Sequence, residues 1–496
     1  MPRKSHVTDS QSNRDRGESR RRSQTPNRRQ FLRGAAGAAA VTAGFGLSSG
    51  VSGAAVGSDP EYDVVLDIVD DLGADPTGEE PINDALAEAV EYDSVKVVFP
   101  DGEYLIENGP GGDGFARWDF GTGEEEGRVG DLALVGDGNV TLTPPDGGRH
   151  NVLTLWGRDL RIENFTVDQT AHDTSTGITA VAEDRLLVRD VHYDGKVTGD
   201  YVEVPAPGDE RIPDDPHCLI PGILEEDGTG LIENVRAPDG VEPFSRKGAV
   251  WVNFLHAGDL LFNRCEFSNF ADNAIYGSPP GQGPPLGGGG SVRVENCYFE
   301  NNNVSAIRLG TPGSYAKNCT VVTEAGEIPA TPWGAITSRA GWVWYEFDGS
   351  FENVDVVHDH PAGQGILDHS DGTQDVALEV KNCRFELNND GATAIRFSDP
   401  SVERLSAKNV SVTGEAGDGT ALVLGNAEID VKNCCVSQTG ENRDGISLSN
   451  ATGSIRNVSI DVTGQAIVAD DDSDVTVRNL HERGNCPSAR SQHSLQ

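Results

Sequence analysis

One short pattern recurs along residues 160–480 and constrains the fold more than any other feature of this chain. It is a run of alternating apolar residues interrupted by Asn, as in 160–167 and 292–299, and a second pattern, small-Ile-x-apolar-small, alternates with it, as in 306–310. Both patterns have a period of two, which is typical of short strands with one buried face. The Asn position of the first pattern recurs every 22 to 44 residues, at 164, 190, 234, 264, 296, 318, 353, 382, 409, 433, 457 and 479.

Repeats of this length predict a parallel β-helix. Three short strands in 22 to 30 residues fit one coil of such a helix. Leucine-rich repeats would show a Leu ladder with helical spacers, and propeller blades need four strands in about 40 residues or more. We therefore predict an all-β parallel β-helix of about twelve coils over residues 128–480. The recurring Asn suits a sharp corner, because it tolerates left-handed backbone and its amide can bond the Asn of the neighbouring coil.

The same repeat explains most of the cysteines and the seven Asn-x-Ser/Thr sequences. The motif position directly after the corner is Cys in five copies, at Cys265, Cys297, Cys319, Cys383 and Cys434. That regularity indicates small core side chains, so we expect buried free thiols in preference to disulfides. A corner Asn followed by a buried residue and an outward Ser or Thr also makes a glycosylation sequence by accident, so glycosylation at the ladder positions is the weaker interpretation.

The charge of the chain is strongly acidic. It holds 39 Lys and Arg against 79 Asp and Glu, a formal net charge of −40. Residues 1–55 contain ten basic and three acidic groups, so the remaining 441 residues contain 29 basic and 76 acidic groups, a balance of −47. Such a field disfavours binding to nucleic acid or to anionic membranes. Carboxylates stay hydrated in concentrated salt, where the Debye length falls to about 3 Å at 1 M, so the composition indicates adaptation to high salt.

The first 55 residues carry a pattern of their own. Paired Arg28 and Arg29 are followed by Phe31-Leu32, a weakly apolar run over 34–47 and small residues at 52–55. This resembles a twin-arginine export signal. The run is too short and too rich in Gly for a transmembrane helix. We expect residues 1–55 to be a signal peptide with a basic tail, and the mature protein to be extracellular or attached to the cell surface.

The segment 56–127 is expected to be the N-terminal cap and lead-in of the β-helix. Ile82, Leu86, Ala89 and Val90 recur at helical spacing, which predicts a helix over the open first coil. Together with 70–78 and 97–104, this helix resembles the opening of the pectate-lyase-like superfamily. That superfamily of right-handed β-helices includes polysaccharide lyases, glycoside hydrolases and phage tailspikes. The repeats are also similar to exported β-helix proteins of haloarchaea. Residues 481–496 are expected to be a disordered tail.

The catalytic motifs of individual families within this superfamily are missing or incomplete in the chain. The Gly-His-Gly and Arg-Ile-Lys tripeptides of polygalacturonase-type hydrolases are absent. Residues 215–217, Asp-Pro-His, resemble the tripeptide of alginate-type epimerases without its flanking pattern, and a solvated loop is the alternative. The same insertion has four carboxylates that suit Ca²⁺, although no clear motif requires a cofactor. These carboxylates are Asp209, Glu210, Asp214 and Asp215.

The outward positions of the small-Ile-x-apolar strands give a more specific expectation. Stacked over successive coils they read Trp251/Asn253, Tyr276/Ser278, Arg308/Gly310, Thr337/Arg339, Leu367/His369 and Arg396/Ser398. Coils lie about 4.8 Å apart, so this row would extend for some 25 Å. It concentrates aromatic, Arg and His side chains on an acidic protein. Aromatic faces stack on sugar rings and Arg binds carboxylates bidentately, so the row predicts a groove for a uronic-acid-containing polysaccharide. The alternative is that these Arg form structural salt bridges with carboxylates such as Asp272 or Asp390.

Two chemistries fit such a groove. β-Elimination needs a cation to neutralise the uronate, for which Arg308 and Arg339 are candidates, and a base, for which His369 or an Arg is the candidate. Hydrolysis needs two carboxylates, for which Asp272 and Asp368 are the candidates. Elimination is favoured over hydrolysis. The competing hypothesis is a cell-surface or adhesion β-helix that binds glycan without catalysis.

Two neighbouring features carry weaker expectations. Trp342 and Trp344 share parity and are expected to form one wall of the groove, or else to close a loop over the core. Residues 358–360 and 368–371 form the densest His and Asp cluster of the chain, and a metal site is one interpretation of it.

Overall fold

The computed structural model describes residues 61–107, 129–212, 215–283, 286–368, 376–482 and 486–489, together with the backbone of 115–116. The described chain forms a right-handed parallel β-helix, and every strand pairing in it is parallel. The leader at 1–55 lies outside the described residues, as do His369 and Asp214. Among the described residues, no helix is long and apolar enough to cross a bilayer.

The N-terminal coils contain long strands, of up to 20 residues. The helix α1, Asn83–Ala89, lies among them, and its Leu86 and Ala89 are fully buried in the common core. Predicted Ile82 and Val90 flank it and are buried as well. The strands of this part are Val64–Asp67, Thr77–Pro81, Ser94–Leu105, Phe115–Ala116, Val129–Thr143, Arg149–Asp168 and Ser175–Asp194.

The later coils separate into three sheets. The first sheet contains Thr229–Glu233, Asp259–Asn263, Ser291–Glu295, Tyr315–Lys317, Asp348–Glu352, Val376–Lys381, Val402–Lys408, Glu428–Lys432, Thr452–Asp461 and Asp474–His481. The second sheet contains Arg236–Ala237, Glu266–Ser268, Tyr298–Glu300, Thr320–Thr323, Asp355–His358, Arg384–Leu387, Ser411–Gly414 and Cys435–Gln438. The third sheet contains Leu219–Ile223, Val250–Trp251, Ile275–Gly277, Ile307–Leu309, Arg339–Val343, Gln364–Asp368, Ile395–Phe397, Thr420–Gly425, Asp444–Ser449 and Ile467–Ala469. A 3₁₀ helix, Pro279–Gln282, follows one strand of the third sheet.

The corner between the first and second sheets is built as the repeat predicted. All twelve predicted corner residues have positive φ, between 53° and 62°, including Asp190 and Arg264, which replace Asn in two coils. In the later coils the Asn side chains form a ladder: Asn409 Nδ2 donates to Asn382 Oδ1 at 2.9 Å, and Asn433 Nδ2 to Asn409 Oδ1 at 3.2 Å. The left-handed backbone turns the chain, and the amide ladder joins each corner to the next coil.

The residue after each corner points into the core, which explains the cysteines. The five predicted positions are buried and free, and Cys218 is buried and free as well. Burial raises the pKa of Cys383 to about 12 and that of Cys434 to about 11, so these thiols stay protonated. The preference for free thiols is therefore confirmed for six cysteines and wrong for two, because Cys435 and Cys486 form a disulfide.

That disulfide also joins a segment beyond the last strand to the β-helix. The last strand reaches His481, and the segment 486–489 lies against the outer face of the second sheet, where Cys435 is. Ser411 Oγ donates a hydrogen bond to the Pro487 carbonyl oxygen in the same place. The covalent bond therefore fixes the position of residues 486–489.

Candidate functional site

The register of the third sheet aligns one row of outward side chains, which we call the arginine–aromatic stripe. Each member pairs with the next on the neighbouring coil. The members are Trp251, Tyr276, Arg308, Trp342, Leu367 and Arg396. Five coil steps of about 4.8 Å give the stripe a length of about 24 Å. The row predicted from the sequence is thus confirmed in five of its six coils at the first outward position.

The fourth coil of the row corrects the prediction, because Trp342 and not Thr337 lies opposite Arg308. The local pattern at 335–339 imitated the strand, but these residues belong mainly to a loop. Asn303 Oδ1 accepts a hydrogen bond from the Thr337 backbone N–H at 2.9 Å, which fixes that loop on the preceding coil. The strand begins at Arg339, and Gly341 and Val343 supply its inward positions.

Arg308 is enclosed by aromatic rings. Its guanidinium carbon lies 3.7 Å from the ring centroid of Trp344, 4.0 Å from that of Tyr276 and 4.9 Å from that of Trp342. Its Nε donates to Ser278 Oγ at 2.8 Å, and only 6% of the residue is exposed. Burial lowers the pKa of Arg308 from its ordinary value. The cation is therefore fixed in one orientation by ring faces.

Arg339 joins the same cluster from the beginning of its strand. Its guanidinium carbon lies 4.4 Å from the Trp342 ring centroid, and Nη1 donates to Val304 O and Thr337 Oγ1, both at 3.0 Å. Burial, with repulsion from Arg396 and Arg308, lowers its pKa to about 10. Trp342 and Trp344 contact each other edge to face with centroids 4.8 Å apart, so both predicted wall residues lie in this cluster.

The three arginines of this face do not form the predicted structural salt bridges. Within the described residues no carboxylate lies within 4.0 Å of Arg308, Arg339 or Arg396, whereas ten other described arginines do have such a partner. The two proposed partners bond elsewhere. Asp272 accepts from Asn273, and Asp390 accepts from the Gly417 backbone N–H at 2.8 Å. This face consequently presents arginines that make no direct ion pair with a carboxylate among the described residues.

Asp272 lies at the corner that precedes the strand of Tyr276. Burial raises its pKa, while the nearby Arg308 and Arg246 act in the opposite direction. The structure thus brings a carboxyl group into the neighbourhood of Arg308, as the sequence suggested. Arg246, which is exposed, was missed because it lies outside the strand pattern.

Asp368 and Arg396 occupy the other end of the stripe. They line an open cleft of about 500 Å³ with Ser398, Asp399 and Pro400. Asp368 accepts hydrogen bonds from the backbone N–H groups of Ser398 and Asp399, both at 2.8 Å, and burial raises its pKa. His369 adjoins this cleft in sequence but lies outside the described residues.

The structure does not bring Asp272 and Asp368 together. They are separated by three coils in the register of the third sheet, which is about 14 Å along the helix axis. Paired carboxylates of glycosidases lie no more than about 9.5 Å apart. The hydrolytic arrangement predicted from the sequence is therefore not formed by this pair.

The insertion that contains the Asp-Pro-His tripeptide at 215–217 precedes the third sheet. Its C-terminal end is packed and is not a solvated loop. The Asp215 side chain is fully buried, forms an ion pair with Arg149 and accepts from Ser245 Oγ at 3.0 Å. His217 Nδ1 lies 3.1 Å from Gly248 O, and burial lowers its pKa to about 4. Tyr201 stacks on Arg149 with 4.9 Å from guanidinium carbon to ring centroid. These contacts pack the Asp-Pro-His tripeptide into the fold.

Neither predicted cation site is formed by the residues that the structure describes, which contain no group of three or more His, Cys, Asp or Glu suited to a metal. Asp209, one of the carboxylates suggested for Ca²⁺, pairs with Arg211. In the other cluster, His358 is buried and its Nε2 lies 2.8 Å from Gln364 O, while His360 Nδ1 accepts from the Ala362 backbone N–H.

Comparisons with known proteins concern the fold. No protein-family model and no curated protein matches the chain. It is similar to the catalytic domain of a GH87 alpha-1,3-glucanase in complex with nigerose, with 14% identity and a TM-score of 0.45, over 85% of this chain and 68% of that one. It is similar to the A-module of the Azotobacter vinelandii mannuronan C-5 epimerase AlgE4, with 11% identity and a TM-score of 0.32, over 85% of this chain and 100% of that one. At these values the likeness carries no functional argument, and the fold rests on the sheets and corners described above.

Proposed function

We propose that this protein binds an extended, uronic-acid-containing polysaccharide along the arginine–aromatic stripe. The observation that carries the proposal is the environment of Arg308, a cation held between the rings of Tyr276 and Trp344 with no carboxylate partner among the described residues. The chain has 79 acidic residues, so arginines without an ion-pair partner are unexpected in it. Such arginines can instead bind the carboxylates of a ligand. The partly exposed Trp251, Tyr276 and Trp342 supply faces for sugar rings on the same line.

The first prediction tests binding. Arg308→Gln and Arg339→Gln each remove a charge-assisted contact of about 1.5–3 kcal/mol, so affinity for an oligogalacturonate should fall about 10- to 100-fold. Calorimetry in molar salt measures it, because surface attraction is then screened. Arg404→Gln is the matched control, since Arg404 is exposed on the first sheet. Circular dichroism shows whether each variant is folded. Unchanged affinity in both folded stripe variants would remove the groove.

We further propose that the site catalyses β-elimination. Arg308 and Arg339 would neutralise the uronate carboxylate, and Asp272 would accept the C5 proton. The electron pair of the C5–H bond forms the C4=C5 double bond, the C4–O bond breaks with its electron pair going to the oxygen, and the leaving oxygen takes a proton from water. Asp272 is chosen because its raised pKa makes it a stronger base than an ordinary carboxylate once ionised.

The second prediction concerns this step. Asp272→Asn should abolish the ultraviolet absorbance of unsaturated uronate products while retaining oligosaccharide binding. In the wild type, the rate should rise with pH as Asp272 ionises, and this acid limb should lie above the ordinary Asp value because the pKa is raised. Asp461→Asn, at an exposed position, is the control. Binding without product in the wild type would favour the non-catalytic adhesion protein instead.

We also propose that residues 1–55 direct twin-arginine export and that the acidic surface is an adaptation to salt. The support is the Arg28–Arg29 pair with its apolar run, and the excess of 76 acidic over 29 basic groups in the rest of the chain. A reporter fused to residues 1–55 and followed in the medium of an exporting cell tests the first point.

A further inference from the structure

Seven Asn-x-Ser/Thr sequences occur in the chain, and the proposed function uses none of them. Their asparagines are Asn139, Asn164, Asn303, Asn318, Asn409, Asn450 and Asn457. Such a sequence is a substrate for N-glycosylation only where the amide is accessible. The hydrogen bonds of each amide therefore separate sequences that can react in the folded protein from those that cannot.

Six of the seven amide nitrogens already donate to neighbouring coils. Asn164 Nδ2 donates to Gly136 O at 3.2 Å, and the fully buried Asn303 donates to Pro329 O and Ala335 O. The other four donate to the Asn side chain of the preceding coil, and these are Asn318, Asn409, Asn450 and Asn457. Coils are about 4.8 Å apart, so a sugar on these nitrogens would have to disrupt the packing between coils.

Asn139 is placed differently. Val135 lies opposite Glu163 and Thr141 lies opposite Thr166. The six residue steps from 135 to 141 therefore lie opposite only three steps, from 163 to 166, on the next coil. The three additional residues lie in an irregular stretch of the strand where 137–139 are all exposed, and Asp137 pairs with Pro100 of the preceding coil. The Asn139 backbone N–H donates to the Asp101 carboxylate, which holds this stretch in place. Its side-chain amide makes no hydrogen bond within the described part of the chain.

We propose that Asn139 is the N-glycosylation site of the folded protein. Asn139 Nδ2 would attack the anomeric carbon of a polyprenyl-phosphate-linked oligosaccharide, held by a membrane oligosaccharyltransferase that also recognises Thr141. A C–N bond forms, the anomeric C–O bond breaks with its electron pair going to the phosphate, and the amide nitrogen releases one proton. This selection rests on the proposed twin-arginine export, which moves a chain that has already folded, so the ladder is closed when the transferase is met and geometry selects the acceptor.

The test uses the mature protein with a purified oligosaccharyltransferase and a lipid-linked oligosaccharide. Site-resolved mass spectrometry should show occupancy at Asn139 and none at the other six positions. Asn139→Gln and Thr141→Ala should both eliminate the product, and Thr141→Ser should retain it. Protein unfolded in denaturant and diluted into the reaction should become modified at ladder positions as well, because their amides are then free.

Two outcomes would overturn the proposal. One is modification of a ladder asparagine in the folded protein to the same extent as Asn139. The other is an unmodified Asn139 under conditions in which a flexible peptide containing Asn-Val-Thr reacts. Neither outcome bears on glycan binding at the stripe, so the two proposals fail independently.

Discussion

Arg308 shows how one side chain can be stabilised without an ion pair. Its flat guanidinium contacts three aromatic rings, and each such contact is worth about 0.5–2 kcal/mol depending on its solvation. A carboxylate partner would neutralise the charge, whereas ring faces stabilise the cation without neutralising it. Sequence alternation predicted that Tyr276 and Arg308 face outward together. The shared parity of Trp342 and Trp344 predicted that both lie beside this row, but it did not predict that Trp344 stacks on Arg308, because Trp344 follows the strand.

The corner asparagines are the residues that sequence predicted best. A left-handed φ is costly for most residues and tolerable for Asn, so composition and conformation are directly linked at these positions. Thr337 was misplaced because its local sequence does not determine its conformation. An Ile flanked by small residues can occupy a loop as well as a strand, and only the hydrogen bond from Thr337 to Asn303 decides between them.

The third prediction is at this residue scale. Asn409→Ala should lower the free energy of unfolding by about 1–2 kcal/mol, because Ala must adopt φ 55° and both ladder bonds are lost. Asn409→Gly loses the same bonds but accommodates the backbone, so it should be less destabilised. Denaturant titration of the three proteins measures the difference. Equal losses for Ala and Gly would contradict a role for the left-handed backbone.

At the scale of elements, adjacent Cys434 and Cys435 have opposite fates because successive strand residues face opposite sides. Cys434 faces the core and stays a free thiol, while Cys435 faces outward and bonds Cys486. The alternation alone indicates which of the two is outward. It cannot indicate the partner, because the tail has no repeat to place it.

The fourth prediction concerns the disulfide between Cys435 and Cys486. The disulfide closes a loop of 51 residues, for which chain entropy gives about 4 kcal/mol. Cys486→Ser should lose about that much unfolding free energy, measured by denaturant titration. A reducing agent should destabilise the wild type and leave Cys486→Ser unchanged. If both respond equally to the reducing agent, the stabilisation has another origin.

At the scale of the whole molecule, three buried histidines connect different parts of the β-helix. His217, His256 and His358 each bond a backbone carbonyl group, and burial lowers the pKa of each to about 4. In the unfolded chain a histidine has its ordinary pKa of about 6.5. The unfolded state therefore binds more protons between these values, and stability must fall as pH falls.

The fifth prediction follows from that sign. The stabilisation by neutral histidines is fully present above pH 6.5 or so and is lost progressively down to about pH 4, by about 3 kcal/mol for each residue. Denaturant titrations across this range should show the decline. His256→Asn should make it less steep, whatever its effect on stability at neutral pH. An unchanged slope in that variant would show that His256 does not titrate as described.

The repeated corners of the later coils have a consequence for the history of the chain. Each of these coils pairs with its immediate neighbours, and from Asn382 to Asn479 each corner Asn bonds the next in the same way. Unequal recombination between two copies would therefore add or delete a whole coil and still leave every remaining strand with a partner in register. Such an event would change the length of the surface available to a polymer without requiring a new core. The length of this surface can therefore change in evolution by one coil at a time.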